Sequence, residues 1–159
     1  MKLAILIAVL VAIVIAPVYA EWGIEKTMNL SVFAAMDKGS DESGYGASLA
    51  IHEAGITDLS FVDMDSFRFG QFAKLDPKQF GSIPVFFGFA VGYVERKDDV
   101  SDQREGLHTG LELMTDKYEI MNGFSLSLRI ASLSKDFDPV AWFTDPDILW
   151  AGAGLAYEF

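Results

Sequence analysis

Three side chains near the middle of the chain have the residue types of an acyl-transfer site. His108, Glu112 and Ser127 supply an imidazole, a carboxylate and a hydroxyl. A histidine oriented by a carboxylate can activate a serine for nucleophilic attack. If a tight turn at 115–118 sets the register of a hairpin, His108 and Glu112 lie across it from Ser127 and Arg129.

Glu112 and Arg129 also fit a structural role, because opposite charges are tolerated in an interior when they pair and form hydrogen bonds. If both side chains point into the protein, their expected role is mutual neutralisation in a buried polar network. The other titratable side chains predicted to point inward are Asp58, Arg68, Glu158, His52 and His108.

Acidic pairs in predicted loops could attract a hard cation, since calcium takes several carboxylate oxygens. The pairs are 63 and 65, 136 and 138, and 145 and 147, and each lacks the glycine-bearing ligand series of a dedicated calcium loop. The two histidines are far apart and there is no cysteine. We therefore predict no metal site and no cofactor.

Charge and cysteine content argue against several classes of protein. The chain of 159 residues has 23 acidic and 12 basic side chains, a formal net charge of −11. Nucleic-acid binders neutralise phosphates with clustered Lys and Arg, so that class is disfavoured. The absence of cysteine excludes a disulfide scaffold and a cysteine nucleophile.

Residues 1–20 have the three parts of a secretory signal peptide. Lys2 is a basic start, an uninterrupted apolar run follows, and Val18 and Ala20 suit a signal peptidase. We predict export with cleavage before Glu21, leaving one domain over 21–159. An uncleaved membrane anchor is the alternative, because no charge lies between Lys2 and Glu21.

After the leader, apolar residues alternate with other residues at a period of two, which is typical of β-strands. Phe87, Phe89 and Val91, for example, alternate with Gly88 and Ala90. The second face is mostly Gly, Ala and Ser, which makes a poor solvent surface but fills a narrow barrel. The pattern predicts an all-β fold, an antiparallel up-and-down eight-stranded transmembrane β-barrel with its apolar faces toward lipid.

Strand length and phase refine this prediction. Several runs reach ten or more residues, which is about the length of a membrane-crossing strand. A phase change at 67–72 predicts a β-bulge. The predicted strands are 25–36, 44–54, 56–63, 66–74, 82–95, 106–114, 120–133 and 148–159.

The lengths of the connections and the positions of the aromatic residues also favour a membrane barrel. Long, charged connections are predicted at 36–43, 96–105 and 134–147, and tight turns at Gly55 and 115–117. Long loops at one end are typical of membrane barrels, and the longer connection 74–81, predicted at the other end, is an exception. Aromatic residues predicted near strand ends, where a membrane interface favours them, are Trp22, Tyr93, Tyr118 and Tyr157.

The last strand ends in an aromatic pattern, with Tyr157 and Phe159 continuing an apolar row from Leu155. The sequence resembles the small eight-stranded bacterial outer-membrane β-barrel proteins in three features: this C-terminal aromatic pattern, the signal peptide and the alternating pattern of the strands. The resemblance implies an outer-membrane location, contact with lipid and recognition of Tyr157 and Phe159 by the barrel-assembly machinery. It also implies a monomer with a structural or surface-interaction role.

Two other functions remain open. An outer-membrane lipid-modifying acyl hydrolase would use His108, but the lipid A deacylases carry a His-x-Ser motif, and Thr109 and Gly110 follow His108 here. A soluble periplasmic lipocalin-like binding barrel would turn its apolar faces inward.

The last long connection has an apolar tip between two prolines. Val140, Trp142 and Phe143 lie between Pro139 and Pro146. Exposed apolar patches mark contact sites, so the tip is predicted to contact an extracellular partner. The alternative is that the tip folds back to plug the barrel mouth or extends the strand.

Overall fold

The fold is a closed ring of antiparallel strands. A computed structural model describes residues 27–52, 55–76, 85–97, 104–135 and 137–159; the predicted signal peptide lies outside them. Each strand pairs with the next, and β1 pairs with β8, which closes the barrel. The predicted all-β, eight-stranded up-and-down barrel is confirmed. The elements are β1 (Thr27–Asp37), β2 (Glu42–His52), β3 (Ile56–Met64), β4 (Phe67–Asp76), β5 (Phe86–Arg96), β6 (Gly106–Met121), β7 (Phe124–Ser134), α1 (Ala141–Thr144) and β8 (Ile148–Glu158).

The barrel has a loop end and a turn end. Connections at the loop end are 38–41, 65–66, 97–105 and 135–147, and those at the turn end are 53–55, 77–85 and 122–123. The predicted long connection at 36–43 is wrong, because the strands extend to Asp37 and from Glu42. The Asp37 carboxylate accepts hydrogen bonds from the backbone N–H groups of Gly39 (3.3 Å) and Ser40 (3.1 Å), which holds a tight turn.

The predicted tight turn at 115–117 is also wrong. Strand β6 continues to Met121, and the chain turns at Asn122 and Gly123, where Gly123 has a φ of 75°. Asn-Gly is a favoured hairpin turn because it tolerates positive φ. The register shifts between Thr115 and Tyr118, so the segment predicted to be a turn is an irregularity within the strand.

Strand β4 alternates without the predicted bulge. Phe67, Phe69 and Gln71 point inward, and Arg68 points outward, where it pairs with Glu95 at 2.6 Å. The prediction that Arg68 faces the interior is therefore wrong. The apparent phase change arises because this strand places phenylalanines inside the barrel.

Aromatic packing near the loop end explains how those rings fit. The Trp150 ring stacks on Phe33 with centroids 5.6 Å apart and lies 5.7 Å from Phe69. Gly152 leaves the space, since a Cβ there would lie 2.8 Å from Phe33 and 3.0 Å from Trp150. The interior is thus filled by large side chains as well as by the predicted small ones.

The two faces of the sheet have the predicted orientation. Charged side chains such as Asp58, Glu112 and Arg129 are buried in the lumen. Large apolar side chains point outward, and Phe61 and Leu107 are 62% and 59% exposed. The barrel therefore has buried charges among apolar side chains inside, and a largely apolar outer wall.

A matched pair of glycine substitutions tests how closely the strands approach. A Cβ at Gly110 would collide with the backbone carbonyl of Ser132, whereas a Cβ at Gly70 would meet only the Phe61 ring, at 3.3 Å. Gly110→Ala is expected to cost about 1–3 kcal/mol of unfolding free energy, as overpacking does, and Gly70→Ala less. Urea unfolding followed by circular dichroism measures both, and equal losses would contradict the close approach.

Candidate functional site

A polar cluster crosses the lumen, centred on Arg129. Its Nη1 donates to Asp58 Oδ2 at 2.6 Å and to Ser60 Oγ at 2.9 Å. Nη2 donates to Ser31 Oγ and Nε to Ser127 Oγ, each at 3.3 Å. The guanidinium therefore forms hydrogen bonds with two strands besides its own β7, namely β1 and β3.

A second set of hydrogen bonds extends the cluster. The Gln71 amide donates to Glu112 Oε2, and its Oε1 accepts from Trp150 Nε1 at 3.1 Å. The hydroxyls of Ser31 and Ser48 are 2.7 Å apart. Every strand except β5 thus contributes a side chain to this lumen cluster.

The lumen cluster has two carboxyl groups for one guanidinium. Glu112 Oε1 lies 3.6 Å from Arg129 Nη1, farther than Asp58. Asp58 Oδ1 and Glu112 Oε1 form no hydrogen bond within the described residues. The predicted proximity of Glu112 and Arg129 is present, but Asp58 is the closer partner, and Gln71 and Trp150 were not predicted.

The structure does not assemble the candidate hydrolase residues. His108 is buried, and its Nδ1 is hydrogen-bonded with the Gly106 carbonyl at 3.0 Å. Its Nε2 has no hydrogen-bond partner in the described part of the chain, and Ser127 accepts from Arg129 instead. Nucleophilic catalysis needs a base in contact with the nucleophile, and this arrangement provides none.

One member of each acidic pair has a structural partner in the described part of the chain, and Asp63 lies at the end of β3 instead of in a loop. Asp63 pairs with Lys97, and Asp147 accepts a hydrogen bond from the Lys135 backbone at 2.6 Å. Asp138 accepts from the Val140 backbone at 2.8 Å. Within the described ranges, no group of three or more potential metal-ligating side chains occurs.

The outer wall has exposed tyrosines near both ends of the barrel and an apolar band between them. Tyr45 and Tyr93 are exposed near the loop end, and Tyr118 and Tyr157 near the turn end. Trp22, also predicted near a strand end, lies outside the described residues.

Two further titratable residues were predicted to face the interior. His52 is half-buried, and Glu158 is exposed at the end of its strand.

The connection 135–147 folds over the outside of the barrel. Trp142 is buried and packs against Phe89 on the outward face of β5, with ring centroids 5.7 Å apart. Ser132, also outward-facing, donates to the Trp142 carbonyl at 2.5 Å. The tip therefore neither plugs the barrel mouth nor extends a strand, and Val140 and Phe143 remain exposed.

The final residues close the ring. The backbone N–H of Phe159 donates to the Met28 carbonyl at 3.0 Å, and that of Met28 donates back at 3.3 Å. The Tyr157 ring stacks on Phe159, with centroids 6.1 Å apart, and both side chains are exposed. The predicted assembly residues therefore lie on the outer surface beside the β1–β8 seam.

No protein-family model matches the sequence, and no curated protein matches it. Among the residues that the structure describes, no helix has the length and hydropathy to cross a bilayer.

Removing the guanidinium tests the lumen cluster. Arg129→Met leaves buried carboxylates without their positive partner, which is expected to cost about 3–5 kcal/mol of unfolding free energy. Adding Asp58→Asn is expected to restore part of the loss. The exposed ion pair provides the control, because Arg68→Met should barely move the urea midpoint; equal effects of the two arginine substitutions would refute the role of Arg129.

Proposed function

We propose that this protein is an outer-membrane β-barrel whose strands cross the bilayer and whose role is structural or interactive at the cell surface. The observation that carries the proposal is an apolar outer wall around a lumen that contains buried charges. Asp58, Glu112 and Arg129 are at most 2% exposed, whereas large apolar side chains point outward all round the barrel. Lipid is the solvent in which that arrangement is stable, because apolar groups then avoid water.

Strand dimensions support the proposal. The described strands have between 9 residues in β3 and 16 in β6. A tilted strand needs about 9–11 residues to cross the hydrocarbon core. The strands also form a closed ring, in which each strand pairs with a neighbour on both sides; pairing of backbone groups within the barrel is a requirement for a sheet that spans a membrane.

The banded wall supports the same proposal. Tyrosine rings favour the two membrane interfaces, where one end of the ring is apolar and the other is hydrated. Arg68 and Glu95 form an exposed ion pair close to the loop end, outside the apolar band. The band between the tyrosines then corresponds to the hydrocarbon region.

The lumen favours a closed barrel over a pore or a binding protein. Trp150, Phe69 and the lumen cluster fill the interior, as side chains do in other eight-stranded barrels. A lipocalin-like protein would need an apolar ligand cavity and a polar outer wall. The hydrolase alternative lacks a hydrogen bond between His108 and a serine in the described part of the chain.

Export and assembly follow from the same proposal. The segment 1–20 directs secretion, and Tyr157 and Phe159 are the residues that the barrel-assembly machinery would recognise. With both ends of the barrel domain at the turn end, the loop end faces outside the cell. The closed ring exposes no strand edge, which favours a monomer.

Gel migration in detergent tests the membrane barrel directly. The folded protein is expected to migrate differently before and after boiling, because a detergent-stable barrel resists unfolding by the gel detergent at room temperature. Identical migration, together with full solubility in buffer without detergent, would exclude the proposal.

Two arginine substitutions on one face of β1 separate a lipid-facing wall from a water-facing one. Val32 lies in the middle of the strand and Met36 near the loop end, and they are 50% and 55% exposed. In a bilayer, Val32→Arg should cost about 2–4 kcal/mol and Met36→Arg about 0–1 kcal/mol. Unfolding from phospholipid vesicles measures both.

A water-facing wall predicts a different result for the same pair. Each arginine would then be solvated, and neither substitution would destabilise the protein appreciably. Two small and equal effects, with folding in the absence of lipid, would contradict the membrane proposal.

A further inference from the structure

The segment 137–144, which we call the wall segment, contains the three most exposed large apolar side chains of the described residues. Phe143 is 74% exposed, Phe137 71% and Val140 66%. In water these side chains would form an unfavourable apolar patch, which in monomeric proteins marks a contact site. What they contact depends on where the segment lies.

Aromatic packing fixes the wall segment to the outside of the barrel. Trp142 is wedged between Phe89 and Phe137, with centroids 5.7 Å and 5.6 Å away. The Phe89 and Phe137 rings are themselves 6.3 Å apart. Trp142 Nε1 has no hydrogen-bond partner among the described residues, so the indole acts here as an apolar wedge.

Hydrogen bonds give the wall segment a defined shape. Asp138 accepts from the Val140 backbone at 2.8 Å, and the Val140 carbonyl accepts from Thr144 Oγ1 at 2.9 Å. At the base of the connection, Asp147 accepts from the Lys135 backbone at 2.6 Å. The exposed side chains are therefore presented by an ordered turn.

The wall beneath the segment belongs to the apolar band. Phe89 on β5 pairs with Leu111 on β6, and Leu111 pairs with Ser132 on β7, all on the outward face. The wall segment covers this part of the band, at a position that lipid would otherwise occupy. Its outer side, with Phe137, Val140 and Phe143, then continues the apolar surface outward from the barrel.

We propose that the wall segment is an in-plane membrane anchor whose partner is the acyl-chain region of the leaflet at the loop end. The inference rests on the proposed membrane barrel and assigns Val140 and Phe143 to lipid contact instead of a protein partner. Trp142 packs against the barrel wall, and the exposed side chains of Phe137, Val140 and Phe143 insert among the lipid acyl chains. Interfacial segments of this kind bury apolar side chains about 5–10 Å into the boundary between headgroups and chains.

Depth-dependent fluorescence quenching tests the anchor. The chain has no cysteine, so Phe143→Cys provides a single labelling site for an environment-sensitive dye. The protein is refolded into phosphatidylcholine vesicles that contain lipid spin-labelled near the top of the acyl chain. The dye at position 143 should emit at shorter wavelength than in water and be quenched at least about half as strongly as a dye on the barrel wall.

Matched variants supply the references. Phe61→Cys reports the exposed outer wall, and Lys38→Cys reports an exposed position in the 38–41 turn at the loop end. Val140→Cys is a second reporter of the wall segment in case the substitution at Phe143 prevents folding. A difference in gel migration with heating establishes that each variant is folded.

The references distinguish two failures. Quenching at Phe61 with none at Phe143 or Val140, as at Lys38, would overturn the anchor and leave the membrane barrel intact. The tip would then face water, as a protein-docking site does. Absence of quenching at Phe61 in folded protein would overturn the membrane barrel and the anchor together.

Discussion

The ion pair between Arg129 and Asp58 is the interaction on which the barrel interior depends. It joins β7 to β3, which are opposite each other in a ring of eight strands. A buried ion pair stabilises a protein little compared with well-packed apolar residues, but removing one partner is costly because the other charge is left in the interior. Once the sequence has placed Asp58 and Glu112 in the lumen, Arg129 must lie between them.

The narrow lumen also explains the distribution of small and large residues. Eight strands enclose a space that side chains fill, so each bulky inward residue needs a small one facing it. Trp150 and Phe33 stack beside Gly152, and Phe69 completes the aromatic layer. With the interior occupied, the remaining apolar side chains point outward, and the medium around the barrel must accommodate them.

Much of this fold could be predicted, because alternation at a period of two specifies both the strands and their faces. The errors occur where local residues mislead. Phe67 and Phe69 resemble outward residues but lie inside, so Arg68 was placed on the wrong face. Polar residues at 115–117 resemble a turn, although the strand passes through them and turns at Gly123.

The site was less predictable because its contacts are distant in sequence. The proximity of Glu112 and Arg129 follows from their charges and their places in one hairpin, whereas Asp58 is 71 positions from Arg129 and its pairing with Arg129 requires the closed ring. The position of the wall segment could not be predicted from the sequence either, because the contact of Trp142 with Phe89 depends on how the last connection folds.

The hydrogen bonds of Arg129 have a consequence for how errors in strand pairing are rejected. Its contacts with Ser31 and Asp58 span 98 and 71 positions, so they form only when distant strands have met in register. A slip of one residue would turn every side chain of β7 to the opposite face. The guanidinium would then lie on the apolar outer surface, and Asp58 and Glu112 would remain in the lumen without a positive partner. The lumen cluster therefore disfavours a barrel in which β7 is out of register.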